Sequence, residues 1–236
     1  RESSVETGNT ITINAAENAT ANVTISDVNI NTSGKSGKSE AAVSTNGKGN
    51  VNIELDGTNT LQSGRNYAGL EKSNDGKMTI TDENENGKLI ATGGNYGAGI
   101  GGGDSDNGSN ITITDGEVTA IGGLNGAGIG GGLRNNGEKI TVSGDATLKV
   151  QGGPTDTWDG AGAGIGNGGS HNGEFSGSFI PVNGAETEPD TSNLTTGKIE
   201  YYAPGADMTK DKPTSTTLGS RQPEPASPGE TAAPVE

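Results

Sequence analysis

The stretch Asp82-Glu83-Asn84-Glu85-Asn86-Gly87 has the opening pattern of a calcium loop, in which oxygens at alternate positions converge and a glycine permits a sharp bend. Asp82, Asn84 and Asn86 are therefore candidate metal ligands, and Asp104 and Asp106 of the shorter Asp104-Ser105-Asp106-Asn107-Gly108 join them. The pattern then breaks, because the twelfth position is Gly93 where a bidentate glutamate is needed. Polar turns are the competing reading; no cofactor is required, and calcium enters only as a structural ion. A second group is aromatic. Trp158, the only tryptophan, lies in the PTDTWDG insertion at 154–160, and Tyr67 and Tyr96 stand just ahead of AGL and AGI segments. Aromatic faces along one rigid edge suit the C–H faces of sugars, with Asp156 and Asp159 available to sugar hydroxyls. Tyrosines that simply pack on corner glycines are the alternative.

Acid catalysis finds less support. A glycosidase needs two carboxyl groups roughly 5–9.5 Å apart, one of them held protonated. Glu54, Asp56, Asp82, Asp115 and Asp145 are available, but Asp82 and Asp115 each follow a similar strand-like run and read as turn punctuation. The single histidine, His171, has no evident partner, and nothing in the pattern gives Arg65 or Arg134 a lyase role. No catalytic residue is assigned.

These residues hang on a repeat. GAGIGGG occurs at 97–103 and 126–132, and GAGIGNG at 162–168. Each unit holds three short strand-like segments, clearest in ITIT, VTAIGG and GAGIGGG between Ile111 and Gly132. Counterparts of the first segment are ITIN at 11–14, VTIS at 23–26, VNIE at 51–54, MTIT at 78–81 and ITVS at 140–143. Counterparts of the second, such as KLIATGG at 88–94, close on glycine, which suggests a corner turned at positive φ. In the third segment, Ile100, Ile129 and Ile165 are expected to stack as an interior column. The spacing predicts an all-β chain: a right-handed parallel β-helix, or β-solenoid, of about 29 residues and three short strands per coil.

The expected organisation is an N-terminal cap or incomplete first coil over 1–22, with Ile11 and Ile13 stacking on Val23 and Ile25, then β-helix repeats over 23–170. An irregular C-terminal cap over 171–205 carries Phe175, Phe179, Tyr201 and Tyr202, and a disordered Pro/Thr/Ser/Glu-rich linker occupies 206–236. An outward ladder of Thr24, Asn52, Thr79, Thr112 and Thr141 resembles an ice-binding face, although Glu54 interrupts its neighbouring rank.

Composition agrees with this thin architecture. Only 27% of residues are hydrophobic and 3% aromatic, too few for an ordinary globular core, while 43 glycines recur in register with β-branched runs. The net charge of −15, without a basic stretch, argues against nucleic acid. Absent cysteine excludes disulfides and thiol chemistry, no apolar run is long enough to span a bilayer, and the opening residues suggest an excised fragment.

The motifs ITITDGEVTAIGGLNGAGIGGG and ITVSGDATLKVQGGPTDTWDGAGAGIG resemble repeats of large secreted or wall-anchored surface proteins of gut Gram-positive bacteria, over residues 23–170. The resemblance implies a non-catalytic, adhesin-like or carbohydrate-binding module at the bacterial surface, a monomeric part of a larger protein whose partner is a glycan or host-surface ligand. The tail looks like the linker before a wall anchor, but no LPxTG motif is present. A polysaccharide lyase or hydrolase on the same scaffold is the alternative, and an ice-binding solenoid a lesser one.

Overall fold

Alternating β-branched and small polar residues produce short strands with one buried face, and in this chain every such face points into a single narrow core. The computed structural model describes residues 5–34, 40–172 and 179–221. Among them all regular elements are strands. The first coil is β1 (Ile11–Ala15), β2 (Thr20–Ser26) and β3 (Asn29–Asn31), and the second β4 (Val43–Gly47), β5 (Asn50–Asp56) and β6 (Thr58–Gln62). The third is β7 (Leu70–Lys72), β8 (Met78–Thr81) and β9 (Lys88–Thr92), followed by β10 (Ile100–Gly101), β11 (Ile111–Ile113) and β12 (Glu117–Ile121). The fifth is β13 (Ile129–Gly130), β14 (Ile140–Val142) and β15 (Thr147–Gln151).

Each strand pairs in parallel with its equivalent one coil away, which makes three sheets and the expected parallel β-helix. In the first sheet Val43, Leu70, Ile100, Ile129 and Ile165 lie in register and are all fully buried. Burying each such side chain is worth about 2 kcal/mol. Stacked pegs of this kind let a glycine-rich chain fold on little apolar mass.

The corners separate two uses of glycine that the repeat had merged. At the end of the second repeat segment the positive-φ residues are Asn66, Tyr96 and Asn125, not the glycines expected there. Gly94 and Gly123 are required by crowding instead, since a Cβ on Gly123 would lie 1.8 Å from the Gly94 carbonyl oxygen. Positive φ does fall on the glycine that follows the later pegs, at 136° in Gly101, 135° in Gly130 and 137° in Gly166.

The first coil departs from the expected register. Ile11 pairs with Val43, placing β1 in the first sheet and not on Val23 and Ile25. Its ITIN run resembles a second-sheet strand, but alternation identifies a buried face without saying which sheet owns it. In the second sheet, Asn22 pairs with Asn52 and Thr24 with Glu54, so the ladder expected to start at Thr24 starts at Asn22. Glu54 then bonds the Thr81 hydroxyl and accepts from the Glu83 N–H at 2.8 Å.

The ladder continues beyond residue 170. β16 (Ile165–Gly166) ends the first sheet, and β17 (Ser170–Asn172) pairs antiparallel with β18 (Ile180–Val182). Asp190 and Leu194 bridge to Thr141 and Gly144, and β19 (Lys198–Tyr202) joins β15 in the third sheet. Residues 206–221, expected as disordered linker, include β20 (Ser215–Leu218), which closes that sheet antiparallel to β19. The linker composition disguised a strand because Ser and Thr serve both extended tails and exposed edge strands. Phe175 and residues 222–236 lie outside the described residues. Beside β16 the backbone at Glu186 bridges antiparallel to Gly166, and the Glu186 carboxylate accepts from the Gly164 and Ile165 N–H groups at 2.7 and 3.0 Å. In the coil before, Ala163 and Gly164 carbonyls accept from Gly128 and Ile129 in the same way. One side chain and a short antiparallel bridge thus take the place of the next coil on this sheet.

Candidate functional site

The connection from β15 to β16 carries Trp158, and its own side chains hold the loop. Asp156 Oδ1 accepts from the Trp158 and Asp159 N–H groups at 2.8 and 2.7 Å, while the Thr155 hydroxyl donates to the Asp159 carbonyl. Such an Asx turn fixes the backbone locally. From the coil before, Asn125 Nδ2 donates to the Asp159 and Gly160 carbonyls at 3.0 and 2.9 Å.

Beneath the turn lies a charge network. The buried Asp159 carboxylate accepts from Arg134 Nε at 2.9 Å and Nη2 at 2.8 Å, and lies 2.8 Å from His171 Nδ1. Burial opposes ionisation of Asp159, but hydrogen bonds from Arg134 and His171 outweigh it and hold its carboxyl below the usual range. That bond to Asp159 likewise holds the Arg134 guanidinium above its ordinary value, against some loss from burial. The Phe179 ring stands edge-on to His171 at 4.4 Å and to Trp158 at 5.1 Å between centroids. Trp158 is left 55% exposed on this base.

The expected aromatic trio shares a corner, since Tyr67, Tyr96 and Trp158 all lie between a third-sheet strand and the next first-sheet strand. They are not equivalent there. A Cβ on Gly97 would sit 2.1 Å from the Tyr67 carbonyl oxygen, so Gly97 is the counterpart of Tyr67. Tyr96 occupies the left-handed position of Asn66 and Asn125, at φ 77°, and stacks under the Arg65 guanidinium at 5.1 Å. Asp156 and Asp159 are turned to the loop backbone and to Arg134, which makes them supports of the tryptophan.

The proposed calcium loop is a turn closed by its own N–H groups. Asp82 is buried and accepts from the Asn86 and Gly87 N–H groups at 3.2 and 2.8 Å; Asn84 Oδ1 accepts from Asn86 N–H. Asn86 Oδ1 accepts from Gly57 N–H one coil away, and Asp104 Oδ1 from the Ser105 hydroxyl. Most of these oxygens already accept hydrogen bonds within the turn or across coils, and among the described residues no three His, Cys, Asp or Glu side chains gather to hold a metal ion. A chelator is expected to leave the melting temperature unchanged; a clear downward shift, restored by added calcium, would overturn this.

A further polar cluster lies at β7. Glu71 is 9% exposed, accepts from the Ala68 N–H at 3.1 Å, and is pushed up to about 7, chiefly by burial and also by the Asp106 charge. Its neighbour Lys72 is lowered by burial, partly offset by Asp75, and donates to the Asn74 carbonyl.

No family model, curated protein or solved structure matches this chain. The site is therefore read from its geometry.

Two groups escaped the repeat pattern. Glu71 and Lys72 follow the peg in AGLEKS, where later coils have AGIGGG, so a charged pair in a Gly-Gly register was the available signal. The Arg134–Asp159–His171 network had none, because its members meet across coils at separations unrelated to the repeat.

Proposed function

We propose that this chain is a non-catalytic β-helix module of a bacterial surface protein that binds carbohydrate through Trp158. The observation carrying this reading is an exposed tryptophan on a doubly anchored loop, with Phe179 behind it and the ion pair of Arg134 with the buried Asp159 below. Exposing so large an apolar ring costs solvation, and pre-organising it removes the ordering cost that a flexible contact would incur on binding. Sugar rings offer the matching C–H faces. Among the described residues, no helix is long and apolar enough to cross a membrane.

Trp158→Ala should abolish retention on a glycan array while leaving the circular dichroism spectrum unchanged, since the side chain is half in solvent. Undiminished binding by that variant would sink the platform. A polysaccharide-degrading enzyme is the second reading, favoured by Glu71, because a carboxyl pushed up to about 7 suits a general acid near neutral pH. Release of reducing ends from a bound glycan, lost in Glu71→Gln, would select the enzyme; binding without release selects the module.

A further inference from the structure

The cap that completes the solenoid also encloses a cleft of about 620 Å³, within the range of small-ligand sites. Its walls include Tyr201, Tyr202, Pro189 and Pro204, with the carboxyl-bearing Glu186 and Glu188 on one side. Among the described residues no lysine, arginine or histidine lines it. The floor is well held. Tyr201 pairs with Ser215 of β20 in the ladder, and its ring lies against Gly164, where an added Cβ would come within 2.9 Å of Cδ1. Glu186 is fixed by the N–H groups of Gly164 and Ile165, whereas Glu188 is exposed.

We infer that this cleft is a second binding site, separate from Trp158, for a small organic ammonium ion carrying apolar C–H surface. The Tyr201 ring attracts cations through its quadrupole, proline and ring carbons accept the apolar flanks, and the two glutamates supply the opposing charge. An anion would meet these carboxylates at close range in a chain of net charge −15, and a neutral guest would gain nothing from them. Burial, and then the Glu186 and Glu188 charges, push the Tyr201 phenol up to about 12.

Such an ammonium group could belong to a choline, a lysine side chain or an amino sugar. Calorimetry and amide chemical shifts with choline, Nα-acetyl-lysine amide and glucosamine compare these sources, and 3,3-dimethyl-1-butanol serves as the uncharged isostere of choline. At least one ammonium ligand is expected to bind and to shift the cap residues, with the isostere at least about tenfold weaker. Glu188→Gln, at an exposed position, should weaken binding about fivefold, and Tyr201→Leu should do the same provided its spectrum stays native. Trp158→Ala should leave this binding unchanged. Equal binding of the isostere, an unaffected Glu188→Gln, or no response to any of the three cations would each overturn the site.

Discussion

Gly130→Ala is expected to break the solenoid's single unfolding transition into two and to remove about 4 kcal/mol of stability. The new Cβ would lie 2.0 Å from the Gly166 carbonyl oxygen, and the residue already has φ of 135°, which an L side chain rarely tolerates. Backbone strain and overpacking therefore add. Neither is relieved by rotamer change, because the obstacle is the carbonyl of the next coil. Each coil touches mainly its neighbours, so damage at the β13–β16 contact uncouples the coils before it from the last turn and cap. Differential scanning calorimetry reads this directly. Gly34→Ala, where an added Cβ meets nothing within 4 Å, should melt like the parent. If Gly130→Ala also melts like the parent, the close approach of first-sheet strands at the glycine after the peg does not exist in solution.

Replacing Glu71 with glutamine should stabilise the protein at pH 8 by up to ~3 kcal/mol and leave it nearly unchanged at pH 4. The carboxyl titrates at an ordinary 4.5 when unfolded and about 7 when folded. A raised folded value means that the folded chain binds the proton more tightly. That contribution is complete below about 4.5 and is lost as pH rises through about 7, where folding must retain an ionised carboxylate under the surface. Glutamine keeps an oxygen for the Ala68 N–H and carries no charge, so its stability should be flat across that window. Urea denaturation at half-unit steps from pH 4 to 8.5 measures the slope for both proteins. Parallel curves would show that Glu71 ionises without penalty.

How far the sequence went depended on whether a residue's task repeats. The pegs at Ile100, Ile129 and Ile165 recur with the same small neighbours, and both their burial and their register were legible. β1 was misplaced because Ile11-Thr12-Ile13 satisfies the alternation of more than one sheet, and only pairing distinguishes them. Within the candidate site, Trp158 was correctly expected outside the core, since an aromatic inside a peg column would not fit. The inward turn of Asp159 was not legible, for it depends on Arg134 and His171 arriving from the β13–β14 connection and from β17. The cap was the least readable part. Glu186 acts once, at the last coil, and a task done once leaves no period to detect.

That carboxylate, with the backbone bridge beside it, closes the last strand of the first sheet. Interior coils are interchangeable in their hydrogen bonding, each passing the same carbonyl-to-amide contact to the next, while the terminal acid recognises only the two amides directly before it. Units could be spliced in or removed upstream without the terminus registering the change, each altering the length by about 4.8 Å. The molecule is in this sense a ruler graduated in coils, with length encoded by repeat number and a fixed end-stop carrying the ammonium cleft at its tip.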